Sequence, residues 1–506
     1  MGAVSSSVMS TNNFVILGKA PAFYDDDAPA AVEAIENIDG NRFAVGGQFK
    51  SVVDSTGVLK SCEYCGIFSK EGKLLVTIVG GAPPENRVRA LAYLGNNKLA
   101  IASDSDDTVV SSTDPLRSTC VIVDCLTGGT EVVISTNDRI YALASLTGSG
   151  FAISGFAMGG DFTEITDTES REVTVYRCAI FSTDGVFVST PGRFNDTVRA
   201  INTDLFRGTP TPYPILVVGG DFTTHSPSDP YGMAPPPERD ASYCAIIDTN
   251  GVFYQNLGFN DGVFALANLD NRRIAVGGAF KYSRRDEGLF AFFSSADGLA
   301  IFEVAPTDPP LTFSKGFDCG SPRALAYLGN DKLAVGGYIN RVGSLPGTST
   351  NPTTALAVIN VDNGDIVKTF SNIDLAGGTK RVLALADLSN NNLVVGGVFT
   401  NMHNDCPGAT GGSKSKSFAI LNHVDTILKP TVQKPTEPVA HLSVTVPTPT
   451  NTSFTQHPSD ISARNQAKAN GQQTYYYAKG KFLCKKPEFC LDIEKRGFNN
   501  FKLSRK

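Results

Sequence analysis

Tryptophan is absent from the 506 residues, and methionine and histidine occur five times each. Any motif built on tryptophan is thereby excluded, and chemistry built on histidine has few residues to draw on. No run approaches the roughly 18 to 20 consecutive apolar residues of a membrane-spanning helix. The first residues also lack the basic-then-apolar pattern of a secretory signal. The sequence therefore predicts neither an integral membrane protein nor a classically secreted one. Glycine (49) and proline (28) are close to average usage, which excludes collagen-like and wholly disordered chains. What is present, 41% hydrophobic and 19% charged residues, suffices for a large folded core.

Charge is unevenly distributed. Residues 471–506 hold nine Lys/Arg against three Asp/Glu, and residues 427–470 hold four against two. With a net charge of −6 for the whole chain, everything before residue 427 carries −14. An acidic body thus bears a basic tail.

An internal repeat dominates the body. Its anchor is an apolar run ending in two glycines, usually with an aromatic residue two positions on. The copies are Val45-Gly46-Gly47-Gln48-Phe49, Met158-Gly159-Gly160-Asp161-Phe162, Val218-Gly219-Gly220-Asp221-Phe222, Val276-Gly277-Gly278-Ala279-Phe280, Val335-Gly336-Gly337-Tyr338-Ile339 and Val395-Gly396-Gly397-Val398-Phe399. The second glycines are separated by 113, 60, 58, 59 and 60 residues. Leu99-Ala100-Ile101-Ala102-Ser103, a degenerate copy, divides the first and double step. The run Arg89-Ala90-Leu91-Ala92-Tyr93-Leu94-Gly95-Asn96 recurs 234 residues later, from Arg323 to Asn330, which is four periods. Seven units fill residues 30–426.

Each unit reads as short antiparallel strands, because its apolar runs are β-branched or aromatic and are punctuated by Gly, Asn and Asp. In the fifth unit the expected strands are Gly262 to Leu269, Arg273 to Phe280, Leu289 to Ser294 and, after a turn at Asp297-Gly298, Leu299 to Val304. Four strands per unit, seven times, predicts an all-β fold: a seven-bladed β-propeller of four-stranded blades. A β-solenoid is the alternative, although its repeat is usually shorter. Third strands are expected at Cys65 to Phe68, Cys120 to Val123, Cys178 to Phe181, Cys244 to Ile247, Phe290 to Phe293, Ala355 to Ile359 and Phe418 to Leu421. Asn13 to Leu17 looks like an eighth copy. The expected organisation is a flexible 1–12, then a propeller over 13–426 in which that N-terminal strand closes the last blade. A Pro/Thr-rich linker follows at 427–470, then a basic-aromatic docking segment at 471–506.

Arg323 to Gly337, then Ala355-Leu356-Ala357-Val358-Ile359-Asn360-Val361-Asp362-Asn363-Gly364 and Phe370, resemble the delta-sixty repeat propellers and the related propeller of fungal cell-polarity marker proteins. Those share a G-K-[IL]-x-V-G-G-x-F strand, an I-A-x-[LF]-x-x-D-G strand and turn, and a phenylalanine before the next unit. The resemblance covers about 400 residues. It implies a binding or surface module with no common catalytic residues. Kelch repeats carry paired glycines too, but their downstream tryptophan is missing here. Ala102 and Ser103 depart from the family pattern, as do the cysteines.

Cys65, Cys120, Cys178 and Cys244 occupy one repeat position, which reads most simply as a small buried hydrophobe, against disulfides or a metal. Free buried thiols point to a reducing intracellular compartment. Cys62-Glu63-Tyr64-Cys65 matches C-x-x-C, yet no second pair follows at zinc spacing. Cys484 and Cys490 could close a small loop or join a metal site.

Catalytic patterns are scarce. His225, His403, His423, His441 and His457 are expected in loops or the tail, and no phosphate loop, G-x-S-x-G or H-E-x-x-H occurs. Asp161 and Asp221, after their paired glycines, could act as channel carboxylates in an acid–base pair. Their equivalents Gln48, Ala279, Tyr338 and Val398 remove any shared requirement, so capping or solvation is the plainer reading. The runs Asp25-Asp26-Asp27 and Asp104-Ser105-Asp106-Asp107 lack a calcium loop's ligand set. The sequence predicts no enzyme, cofactor or metal.

The tail interleaves Tyr475, Tyr476, Tyr477, Phe482, Phe489, Phe498 and Phe501 with Lys485, Lys486, Lys495, Arg496 and other basic residues. That composition suits an acidic protein groove first, a membrane surface second and nucleic acid third. Met1-Gly2-Ala3-Val4-Ser5-Ser6 fits the N-myristoylation pattern at Gly2, although Met9 is an alternative start. A single acyl chain needs a second signal such as a basic patch. The expected function is a scaffold that binds protein partners through loops after the glycine-ended strands, notably Thr223 to Ala241, Asn340 to Thr354 and Asn401 to Ser417, and through the tail. A membrane-apposed or virion structural component is the second expectation, and a propeller hydrolase or lyase the third. No small-molecule substrate is expected.

Overall fold

The computed structural model describes residues 11–426 apart from stretches between strands, chiefly 105–117, 204–214, 228–237, 343–353, 374–380 and 403–415, and a hairpin within 476–483. Two compact units result, 1–431 and 432–506. In the second, Tyr476–Ala478 pairs antiparallel with Lys481–Leu483.

The first unit is a β-propeller. Its fourth blade is typical: Val198–Asn202, Ile215–Gly220, Cys244–Asp248 and Phe253–Asn256 form an antiparallel meander, innermost strand first. Seven sheets of this plan occur among the described residues. Their innermost strands are Ala31–Asn37, Arg87–Gly95, Ile140–Ser145, Val198–Asn202, Val263–Asn268, Ser321–Tyr327 and Arg381–Asp387. Each touches the next in that order, and the last touches the first. The ring is closed.

Burial follows position in the blade. Innermost strands alternate, as in Ile140–Ser145, because one face lines the channel. Second strands such as Ile215–Gly220 are buried throughout, since neighbouring blades cover both faces. The core consists of seven apolar clusters among the described residues, and each spans one seam between consecutive blades.

The paired glycines serve those seams. A Cβ on the first glycine would overlap the side chain of the next blade's innermost strand: Val88 for Gly46, Val198 for Gly159, Val263 for Gly219, Pro322 for Gly277, Val382 for Gly336 and Val32 for Gly396. The last of these crosses the point of closure. A Cβ on the second glycine, such as Gly47, Gly160, Gly220, Gly278, Gly337 or Gly397, would strike the backbone at the start of its own blade's innermost strand or of the residue just before it. The aromatic residue two positions on is buried against a ring from the connection between blades: Phe23–Phe49 at 4.5 Å, Phe194–Phe222 at 4.6 Å and Phe259–Phe280 at 4.2 Å between centroids. Such pairs add about 0.5–1.5 kcal/mol beyond burial.

The duplicated run from Arg89 and from Arg323 builds two matching turns. Gly95, Asn96 and Asn97, like Gly329, Asn330 and Asp331, have positive φ. Tyr93 and Tyr327 each accept a hydrogen bond at 3.3 Å from the backbone of the last turn residue.

Two expectations need correction. Phe290 to Phe293 is not a blade strand: Phe290–Ser295 pairs with Tyr282–Glu287 in a separate hairpin. The fifth blade's third strand is Gly298–Val304, with Leu299 opposite Gly277 as Cys244 is opposite Gly219, and Leu311–Asp318 is the fourth. The added hairpin carries an apolar run of its own, which the local sequence pattern does not distinguish from a blade strand. The N-terminal segment, expected to add to the last blade, lies outermost in the seventh, and it is the bound of the flexible 1–12 that shifts. Thr11–Ile16 pairs with Phe418–Thr426, so Thr11 and Asn12 belong to the sheet.

Candidate functional site at the channel mouth

Every innermost strand carries a β-bulge two residues before its channel-facing Leu or Ile. The bulged residue projects at one end of the channel. Around the ring these residues are Glu33, Arg89, Tyr141, Arg199, Phe264, Arg323 and Leu383, and they line one recess of about 340 Å³ together with Arg87, Arg381, Gly337 and Tyr338. Next to it the channel is lined by the following alanine and Leu or Ile of each innermost strand, from Ala34 and Ile35 round to Ala384 and Leu385.

Arginines and aromatic rings alternate in this mouth. The Arg89 guanidinium lies 5.3 Å from the Tyr141 ring and that of Arg199 lies 5.0 Å from the same ring, while Phe264 sits 5.8 Å from Arg199 and 3.7 Å from Arg323. Arg381 lies 5.3 Å from Tyr338. The rings space like charges and offer each a cation–π contact.

Counter-ions come from the position after the paired glycines. In the second blade Asp104 bonds Arg89 at 2.5 Å, and in the fourth Asp221 bonds Arg199 at 2.6 Å. Burial opposes the Arg199 charge, but the pairing outweighs it and raises the pKa. Glu33 takes Arg87 at 2.6 Å. Arg323 differs, because Tyr338 occupies that position in its blade. Among the described residues its guanidinium has no carboxylate within 4.0 Å. It faces the water of the mouth, yet the channel wall desolvates it; that burial first, and then the nearby charges of Arg199 and Arg381, lower its pKa against the opposing pull of Asp221.

The sequence-predicted residues are dispersed. Asp221 is a counter-ion, and Asp161 accepts from the Thr197 hydroxyl; each is committed to its own partner rather than to a shared proton. Asp104, from the acidic run, is bound to Arg89. Cys65, Cys120, Cys178 and Cys244 are buried opposite Gly46, Ala102, Gly159 and Gly219. Cys62 donates to the Cys65 carbonyl at 3.6 Å. Burial pushes the Cys62, Cys120 and Cys178 thiols up to about 12. No group of three or more His, Cys, Asp or Glu among the described residues is arranged to hold a metal. The histidine expectation is corrected twice. His225 lies in the strand Thr224–Ser226, fully buried, and His423 lies in Phe418–Thr426. His403, His441 and His457 lie outside the described residues, as do Gly2, Tyr475, Lys485, Lys486, Lys495, Arg496, Cys484 and Cys490; Tyr476 and Tyr477 begin the hairpin of the second unit.

The sequence reading missed Arg89, Tyr141, Arg199, Phe264, Arg323 and Arg381. Aligning the seven units on the alanine of the innermost strand would have revealed five of them, since each directly precedes that alanine.

The sheets define the class: this is a β-propeller. No protein-family model matches the chain, and no curated protein matches it. Solved structures similar to it include the WD40 β-propeller domain of Doa1 (11% identity, TM-score 0.45, covering 82% of this chain and 99% of that one). The Cps50 (Swd1) β-propeller domain of Myceliophteria thermophila (12%, 0.42, 79% and 99%) and the WD40 repeats of RRP9 (12%, 0.44, 81% and 100%) are others.

Proposed function

We propose that the chain is a non-enzymatic recognition scaffold whose working face is the end of the ring at the channel mouth. The carrying observation is an asymmetry of connections. Second strands end, and third strands begin, at the mouth, because Gly160 pairs with Ile140 and Gly159 with Cys178. The links there run from the 13 residues between Asp104 and Ser118 to the 23 between Gly220 and Cys244. At the opposite end several blades turn tightly, as at Asn96-Asn97. Long, blade-specific links on a rigid ring present recognition residues without disturbing the seams. They also add structure of their own, such as Ser51–Val53 with Leu59–Ser61 and Thr224–Ser226 with Arg239–Asp240. The resemblance to delta-sixty propellers supports the same reading.

The basic-aromatic tail is a second docking element in this proposal, and acylated Gly2 would tether the protein to a membrane. Affinity capture from the native source, comparing the full chain with one ending at residue 429, separates the two parts. Partners that persist on truncation belong to the propeller. Loss of every partner would refute the mouth as the working face.

A further inference from the structure

We propose that the channel mouth binds a small organic oxyanion, a phosphate ester or carboxylate, on Arg323. The argument is an internal comparison among three blades. In the second and fourth, the bulge arginine is neutralised by an aspartate at the position after the paired glycines: Arg89 by Asp104 and Arg199 by Asp221. The sixth blade keeps the arginine and replaces the aspartate with Tyr338, so that among the described residues the Arg323 guanidinium has no carboxylate within 4.0 Å, and neighbouring Arg381 in the same recess has none either. Arg199 and Arg381 raise the positive potential around it, and Asp221, already bound to Arg199, offsets this only in part. An arginine cannot relieve that potential by losing its proton, and an external anion would supply the direct counter-charge that the blade itself lacks.

The recess also has the form of a ligand site. At about 340 Å³ it falls within the range of small-molecule pockets. Its walls combine guanidinium donors, which grip oxyanions in a planar fork, with the rings of Phe264 and Tyr338, against which a flat or apolar body can rest. This site is independent of any protein partner on the surrounding loops.

The test uses the full chain and thermal unfolding at constant ionic strength, with phenyl phosphate and benzoate as probes and benzamide as the uncharged comparator. At least one anion should raise Tm saturably while benzamide does not. Arg323→Gln removes the donor, and Tyr338→Asp supplies the counter-ion found in the other two blades. Both should weaken binding at least tenfold. Tyr338 is 45% exposed, so its replacement leaves the core intact, and unligated Tm values report whether each variant folds. The Arg323→Gln protein should melt close to wild type, since relief from the like charges of Arg199 and Arg381 offsets the lost contact with the Phe264 ring. No saturable shift with either anion, or equal shifts in wild type and both variants, overturns the proposal.

Discussion

Replacing Gly219 by alanine tests whether the paired glycines act through the seams. The added Cβ would lie 3.1 Å from Cβ of Val263 and overlap its Cγ1. Overpacking of this kind costs about 1–3 kcal/mol. Lower chain entropy in the unfolded state returns about 0.4–1 kcal/mol, leaving a net loss of about 1–2 kcal/mol. Val263→Ala removes two methyl groups from a fully buried side chain, at about 0.8 kcal/mol each plus a cavity contribution, or about 2 kcal/mol. In the double variant the new methyl enters the vacated space, so the losses should fall short of their sum by at least ~1 kcal/mol. Urea unfolding followed by far-UV circular dichroism suits a chain without tryptophan. Additivity within about 0.5 kcal/mol would refute the steric argument. The cost must stay finite, because the second blade places Ala102 in the equivalent position, fully buried.

Asp54 holds an added hairpin against its blade, accepting hydrogen bonds from Lys60 at 2.6 Å, Thr56 and the Leu74 backbone at 3.0 Å. Burial alone would raise its pKa, but those bonds hold it at about 2, below the usual 3.8. Its stabilisation is therefore present above pH 3.8 and lost as pH falls towards 2. Asp54→Asn should cost about 1.5–3 kcal/mol at pH 7 and flatten the melting profile between pH 4 and 2. The buried thiols should resist a disulfide reagent at pH 8 until urea unfolds the chain; rapid reaction of Cys120 or Cys178 in the folded protein would contradict their placement. His225, whose Nε2 lies 3.1 Å from the Pro191 carbonyl, is held below its usual pKa of 6.5 by burial. Its contribution is full above pH 6.5 and declines as pH falls below it, so His225→Phe should flatten the Tm slope between pH 6.5 and 5.

The blades were legible because the second strands are apolar on both faces and six of the seven end at two glycines, the first required by the neighbouring blade and the second by the blade's own innermost strand. Leu333 to Gly337 and Leu393 to Gly397 announce themselves for that reason. The phenylalanine before each unit was legible as a motif, and its role emerged as the ring that packs on Phe49, Phe222 or Phe280 across a seam. Outer strands were harder. Leu74–Thr77 and Phe187–Ser189 are short and partly exposed, so little periodicity marks them. Phe290–Ser295 has a strong strand pattern but belongs to an added hairpin, which local propensity cannot distinguish from a blade strand. The mouth was hidden for another reason. Arg199, Phe264 and Arg323 are about one period apart, and only the bulge in every innermost strand brings them round a single opening.

The most direct test of the account places a photo-crosslinking residue at Leu59 or Arg239, exposed in the mouth-side links, and at Asn96 or Asn250, exposed in the opposite turns. Recovery of covalent adducts from the native source then reports which end is used. The account predicts adducts at the first pair and none at the second. Adducts confined to Asn96 and Asn250 would contradict it.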